Sequence, residues 1–224
     1  MKKTKLLLVT LVCAVMMMGV GYAWWTDAIS LVGTANTGNM NVHFENGCWL
    51  PAVGASWYAT ASVISAEDKK VTCQFDNLYP NSIGFIDVLV KNDGTIPAKL
   101  KNATINVTGD ADLKPYLKAY AYYYKVDTAG NYVNNTFGWT DFDTLENLGN
   151  SLNNSGLKNI ILEPGEAIFF GVPDEEKDNA PYDANNDGEK ENCFVFYVDG
   201  NAPNATQNQS VSFDLGIEWE QYNN

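Results

Sequence analysis

Beyond residue 39, turn signals cut the chain into short apolar stretches roughly every 8–15 residues, a spacing that suits strands and leaves little room for helices. The signals are Asn46-Gly47, the polar tip Glu67-Asp68-Lys69-Lys70, Asn77-Leu78-Tyr79-Pro80, Asn92-Asp93-Gly94 and Glu163-Pro164-Gly165-Glu166. Asn39 to Phe44 alternates, with Met40, Val42 and Phe44 on one face, the period-2 mark of a half-buried strand. Ser56–Ser65 and Lys70–Phe75 read as the next two strands. Ile83–Val90 is almost continuously apolar and predicts a strand covered on both faces. Val90–Leu100 reads as a strand, a tight Asn-Asp-Gly turn and a returning strand, and Asn102–Thr108 continues the β pattern. Leu117–Val126 is an aromatic-rich strand. Leu157–Leu162 and Ala167–Val172 are predicted to form a hairpin about the Glu163 turn, and Cys193–Val198 and Val211–Tyr222 to close the sheet. One helix is predicted, over Thr140–Leu152: Phe142, Leu145, Leu148 and Leu152 fall three or four apart, Thr140 or Asp141 can cap the start, and Gly156 can end it. The expected fold is all-β, a jelly-roll-like antiparallel β-sandwich with one short helical insertion.

The first 23 residues follow another logic. Lys2, Lys3 and Lys5 precede an apolar run from Leu6 to Val20, and Gly21 and Ala23 are small residues at −3 and −1 of a cleavage site. This is the pattern of a secretory signal peptide cut between Ala23 and Trp24. The run is shorter than the ~20 residues that span a bilayer. The expected organisation is a leader over 1–23, an N-terminal segment over 24–36, and a sandwich over 37–224. Trp24 and Trp25 would then open the mature chain, and two such large rings need a pocket, at home or in a neighbour.

Loss of the leader removes three lysines and no acid, taking the net charge from −13 to −16. A surface that acidic repels nucleic acid and anionic membrane and favours divalent cations. Export permits disulfides, but three mature cysteines leave one unpaired; Cys48–Cys73 is the expected bridge, with three buried free thiols at Cys48, Cys73 and Cys193 as the alternative.

Catalytic equipment is sparse. Zinc proteolysis normally needs two or three histidines with a carboxylate base, and His43 is the sole histidine, on a predicted strand. It is also the only imidazole available to a cysteine nucleophile, and there is no Gly-x-Ser-x-Gly elbow. The chain is therefore expected not to be an enzyme. The sharpest ligand motif is Asp183-Ala184-Asn185-Asn186-Asp187-Gly188, the D-x-[DN]-x-[DN]-G opening of a calcium loop. Asp183, Asn185 and Asp187 are the leading candidate ligands; Phe194 stands where the closing glutamate would be, so Glu189 or Glu191 would substitute, as could Asp174, Glu175, Glu176 or Asp178.

Three stretches resemble one family. Trp24-Trp25-Thr26-Asp27 at the junction, followed by Thr37-Gly38-Asn39-Met40-Asn41-Val42, is similar to the start of the TasA and camelysin proteins of Gram-positive bacteria, which a SipW-type signal peptidase processes. The block from Asn77-Leu78-Tyr79-Pro80 to Lys91-Asn92-Asp93-Gly94-Thr95, and the last strand from Val211-Ser212-Phe213 to Gln221-Tyr222-Asn223, resemble the same family. Asn81 stands where the family usually has glycine, and no family motif is present between about Pro115 and Asn192. The resemblance implies a secreted subunit of cell-surface or biofilm-matrix fibres that assembles head to tail with copies of itself. The N-terminal segment would be a donor strand, with Trp24, Trp25, Ile29 and Leu31 filling the neighbour's pockets, and an accessory anchor protein as a further partner. The name camelysin implies the alternative, a cell-surface metallo-endopeptidase. A calcium-dependent carbohydrate-binding module is a third reading, drawn from the Asp183 loop and exposed aromatics.

Overall fold

The structure is a computed structural model that describes residues 2–23, 38–45, 60–67, 70–86, 88–182, 194–207 and 209–222. The chain divides into two compact units, residues 1–37 and 38–224. In the first, helix α1 (Lys2–Ala23) carries the apolar run from Leu6 to Val20. Among its described side chains Leu7, Leu8, Val9, Leu11, Val15 and Met16 stand exposed.

The second unit is an antiparallel sandwich. Its first sheet holds β1 (Val42–Phe44), β4 (Ile83–Ile86), β5 (Val88–Asn92), β7 (Leu117–Val126), β8 (Gly138–Trp139), β9 (Asp143–Thr144), β11 (Ala167–Phe170) and β12 (Phe194–Val198). The second sheet runs in the order β10 (Ile161–Leu162), β6 (Ala98–Gly109), β13 (Gln209–Gln221), β3 (Lys70–Leu78) and β2 (Thr60–Glu67). Of the twelve connections between these strands seven change sheet, as in a jelly-roll-like sandwich and unlike a meander. Inward positions alternate along each strand. Val71, Cys73 and Phe75 of β3 and Val211, Phe213, Leu215 and Ile217 of β13 meet Ala119, Ala121 and Tyr123 of β7 and Phe194, Phe196 and Val198 of β12. Phe75 stacks on Phe196 across the two sheets at 4.5 Å.

Register shows that β11 and β12 are one strand interrupted by an excursion. β11 pairs with Tyr124–Val126 of β7 and with Val88–Lys91 of β5; β12 pairs with Leu117–Ala121 of β7 and with Ile83–Ile86 of β4. On both flanks the register slips by the same number of residues, so the chain leaves the sheet after Phe170 and rejoins it in line at Phe194. The apolar run over Ile83–Val90 is covered on both faces accordingly: Ile86, Val88 and Val90 face the main core, and Ile83 is buried in a second cluster on the outer face.

Two expected hairpins are crossovers instead. β5 lies in the first sheet and β6 in the second, so Asn92-Asp93-Gly94 carries the chain between sheets. Glycine is needed there because a Cβ would lie 2.4 Å from the Asn39 carbonyl oxygen and 2.6 Å from the Asn41 nitrogen. The Glu163–Glu166 turn likewise joins β10 of the second sheet to β11 of the first, and Gly165 takes a φ of +85°. Leu157–Leu162 is a 3-10 turn over Gly156–Asn159 followed by only two strand residues.

Asn92 holds both crossovers together. Its side chain is fully buried; Nδ2 donates to the carbonyls of Ile96 and Leu162, each at 3.0 Å, and Oδ1 accepts from Gly94 N at 3.0 Å. Its backbone N–H donates to Glu166 O, and its carbonyl accepts from Gly165 N. Beside it the half-buried Lys125–Glu166 pair closes at 2.9 Å, and the same carboxylate accepts from Glu163 N. Asn81, where the resembling family has glycine, adopts φ +69°, the left-handed conformation that asparagine tolerates best after glycine.

The predicted helix is shorter and begins later. Asp143–Thr144 pairs with β7 as β9, a 3-10 turn covers Leu145–Asn147, and helix α2 spans Leu148–Asn154. Thr140 caps nothing; its Oγ1 accepts from Ala121 N, extending the sheet. Phe142 packs on Tyr120 rather than on a helix face. Leu145, Leu148 and Leu152 are buried as expected. Their periodicity is satisfied by two short turns in succession, which place α2 against the edge of β6. There Asn153 acts as a substitute strand: its Oδ1 accepts from Ala103 N at 2.8 Å and its Nδ2 donates to Ala103 O at 2.9 Å. An edge capped by a side-chain amide is closed to foreign strands. Asn153→Ala is expected to cost about 1–3 kcal/mol and to raise the aggregation rate on partial unfolding, read by urea denaturation and light scattering. Unchanged values would show the cap to be dispensable.

Candidate functional site

The two outer faces of the sandwich differ in chemistry. That of the second sheet is polar, with Lys99–Glu220 at 3.2 Å, Lys101–Glu218 at 3.3 Å and Thr72 donating to Asp214. Exposed pairs of this kind contribute little to stability and mark a solvated face. The outer face of the first sheet is aromatic. β7 sends Leu117, Ala119, Ala121 and Tyr123 inward, so Tyr120, Tyr122 and Tyr124 point out. From β12 come Val195 and Tyr197, and from β4 Ile83 and Phe85.

The excursion after β11 begins by folding over this face. Val172 and Ala180 are buried in the outer cluster, and Tyr182 packs on Tyr120 at 4.8 Å while its N–H donates to the Tyr122 hydroxyl at 3.0 Å. Tyr132 donates to Glu176 at 3.1 Å, tying the excursion to the loop after β7. From Tyr120 the rings continue both ways along β7: to Phe142 at 5.4 Å, and through Tyr122 to Phe137 at 5.9 Å and on to Trp139 at 5.6 Å. Burial, then the Asp141 carboxylate, hold the Tyr182 phenol above its ordinary pKa. Tyr197 is raised by burial, against the Gly200 backbone and with Asp199, and its hydroxyl donates to Asn81.

A second feature lies where the unit begins. Residues 39–45 pair with 89–95: β1 registers Val42 on Asn92, His43 on Lys91 and Phe44 on Val90, and Asp93 N and Thr95 N donate to Asn41 O and Asn39 O. Among the described residues β1 has no strand on its other side. Next to it a cleft of about 350 Å³ opens between the sheets, lined by Met40, Asn41 and Val42 on one wall and Lys101, Ile217, Glu218 and Trp219 on the other. Apolar Met40, Val42, Ile217 and Trp219 share its lining with Asn41 and the Lys101–Glu218 pair, the mixed character of a groove that takes one extended segment.

His43 lies on this edge strand in a row of charges. Its Nε2 is 3.5 Å from Asp93, which also receives Lys91 at 3.2 Å, and Lys91 reaches Glu45 at 3.8 Å. Among the described residues no three His, Cys, Asp or Glu side chains converge as a metal site would require. Two of the acids at 174–178 serve local bonds: Asp174 is held below its ordinary pKa by Lys177, and Glu176 accepts from Tyr132 and Asn179.

Several expected site residues lie outside the described residues: Trp24, Trp25, Ile29 and Leu31, the calcium-motif residues Asp183, Asn185, Asp187 and Glu189, and Cys48 and Cys193. Ala23 is the last residue of α1. Cys73 is buried in the sandwich core on β3. Trp139 and Phe142 were not legible as a pair, because the sequence pattern placed Phe142 on a helix. The available signal was the aromatic spacing Phe137, Trp139, Phe142 directly after the tyrosine-rich strand. A scan against protein-family models gives no match to this chain, and a search of curated proteins finds no related sequence.

Proposed function

We propose that the protein is a secreted structural subunit of cell-surface or matrix fibres, of the kind the TasA resemblance implies. The observation that carries this reading is the edge of β1, unpaired on its other side among the described residues, beside a cleft of mixed polar and apolar lining at the start of the sandwich. A strand added there gains backbone hydrogen bonds along residues 40–44, and its alternate side chains enter the cleft between Val42 and Trp219. The edge is also the kind of surface that a protein must cover or use. Addition of one chain's N-terminal segment to the next chain's edge is heterologous and does not close, so it propagates as a filament. Processing by a SipW-type peptidase after Ala23 would license the step by freeing residues 24–36 from the apolar helix α1. The acidic charge keeps the subunits soluble until they assemble, and calcium at the Asp183 loop would moderate their repulsion.

Electron microscopy of protein beginning at Trp24, with and without calcium, tests the reading. Ordered filaments one domain wide are expected, and deletion of Trp24–Ser30 is expected to abolish them. Filaments that grow at the same rate after the deletion would remove the donor-strand role, and monodisperse monomers from the parent protein in all conditions would remove the fibre.

A further inference from the structure

The folded unit's most exposed large aromatics among the described residues are Trp139 and Phe142, 42% and 40% exposed, and both belong to the ring network on the outer face of the first sheet. They flank the stretch of β7 from Ala119 to Tyr122, because Trp139 registers on Tyr122 and Asp143 on Ala119. Three strand residues make this stretch about 10 Å long. We propose that Trp139 and Phe142 are the platform of a glycan-binding site that takes an uncharged, β-linked hexopyranose chain.

Size, chemistry and charge argue for that occupant. At these exposures each ring offers on the order of 100 Å². Two such rings fall well short of the ~800 Å² per partner that a stable protein interface buries, but they match the faces of two sugar units, and a stretch of about 10 Å spans two pyranose steps, so they meet alternate units of the chain. Pyranoses in a flat β-linked chain present apolar C–H faces with hydroxyls at their edges. That pattern needs ring faces beneath and hydrogen-bonding groups beside them. Asp141 stands exposed between the two aromatics, and its charge is near enough to Tyr182 to raise the phenol's pKa. A carboxylate there accepts from sugar hydroxyls and repels a polyanionic glycan, as does the net charge of −13. The same charge opposes the docking of a second copy on this face. The rings are also preorganised: Phe142 is braced by Tyr120, Tyr182 and Tyr197, and Trp139 by Phe137. Little side-chain entropy remains to be lost on binding.

The test uses the intact protein, with cellohexaose and chitohexaose as probes and polygalacturonate as the charged control. Binding is read by calorimetry and by tryptophan fluorescence. One or both neutral hexamers should bind with a submillimolar constant, and polygalacturonate should not bind. Trp139→Ala should weaken the interaction at least about tenfold and Phe142→Ala about threefold or more, with Trp139→Phe retaining most of it and thermal midpoints near the parent's. The proposal is overturned if neither hexamer binds at 10 mM, if Trp139→Ala binds like the parent, or if polygalacturonate binds as well as the neutral chains. Loss of self-association in Trp139→Ala, in a protein that binds no hexamer, would overturn it in favour of a protein interface.

Discussion

Asn92→Leu is expected to lower stability by about 3–5 kcal/mol, making it among the most damaging single substitutions in the sandwich. Leucine fills similar space but leaves the carbonyls of Ile96 and Leu162 and the N–H of Gly94 without their partners, the Leu162 carbonyl in a buried site and the other two in partly buried ones. A fully buried orphan costs about 1–3 kcal/mol and a partly buried one less, and the three belong to two different crossovers, so both loosen together. For a sandwich of this size the thermal midpoint should fall by roughly 10 °C or more. Asn92→Asp is a sharper diagnostic. An aspartate keeps the acceptor facing Gly94 but turns a donor into an oxygen opposite two carbonyls. Its folded-state pKa is then raised by burial and by those oxygens, so the variant should be most stable at low pH and lose stability as pH rises through that folded value. Urea denaturation at pH 4 and pH 7 reads both effects. A loss under 1 kcal/mol in Asn92→Leu would show that the crossovers are held by their turns alone.

Phe75→Ala should cost about 3–5 kcal/mol for a different reason, a cavity at the centre of the main core. Phe75 has no exposed surface, stacks on Phe196 of the opposite sheet at 4.5 Å, and lies 5.9 Å from Phe213 on the neighbouring strand. Gly84 of β4 completes its socket: a Cβ there would lie 2.3 Å from the Phe75 ring. Gly84→Ala alone should therefore cost about 1–3 kcal/mol through overpacking. In the Phe75→Ala background the same substitution enters empty space and should be nearly neutral or stabilising. A double-mutant cycle measures that coupling, and additive losses would mean that the ring does not occupy the Gly84 socket.

Strand positions were largely legible in the sequence. Val71, Cys73 and Phe75, or Leu117, Ala119 and Ala121, announce their inward face by alternation, because side-chain direction along a strand is a local property with a period of two. The turn sites were legible for the same reason, since glycine, proline and asparagine impose local dihedral angles. A turn signal does not say which sheet the next strand joins. Asn92-Asp93-Gly94 and Glu163-Pro164-Gly165-Glu166 have the composition of hairpin turns and serve as crossovers, and only the packing of β6 on β13 and of β11 on β5 separates the two outcomes. The buried amide of Asn92 was hidden by the same limit, because its partners at Ile96 and Leu162 come from different connections. The outer aromatic face shows the division most clearly. Tyr120 and Tyr122 had to point away from Ala119 and Ala121, and the sequence determined that much. Whether they met water or protein depended on the excursion after Phe170 folding back to set Val172, Ala180 and Tyr182 against them. Hydrophobic burial is indifferent to separation along the chain, so the covering of a face is decided only when the tertiary structure forms.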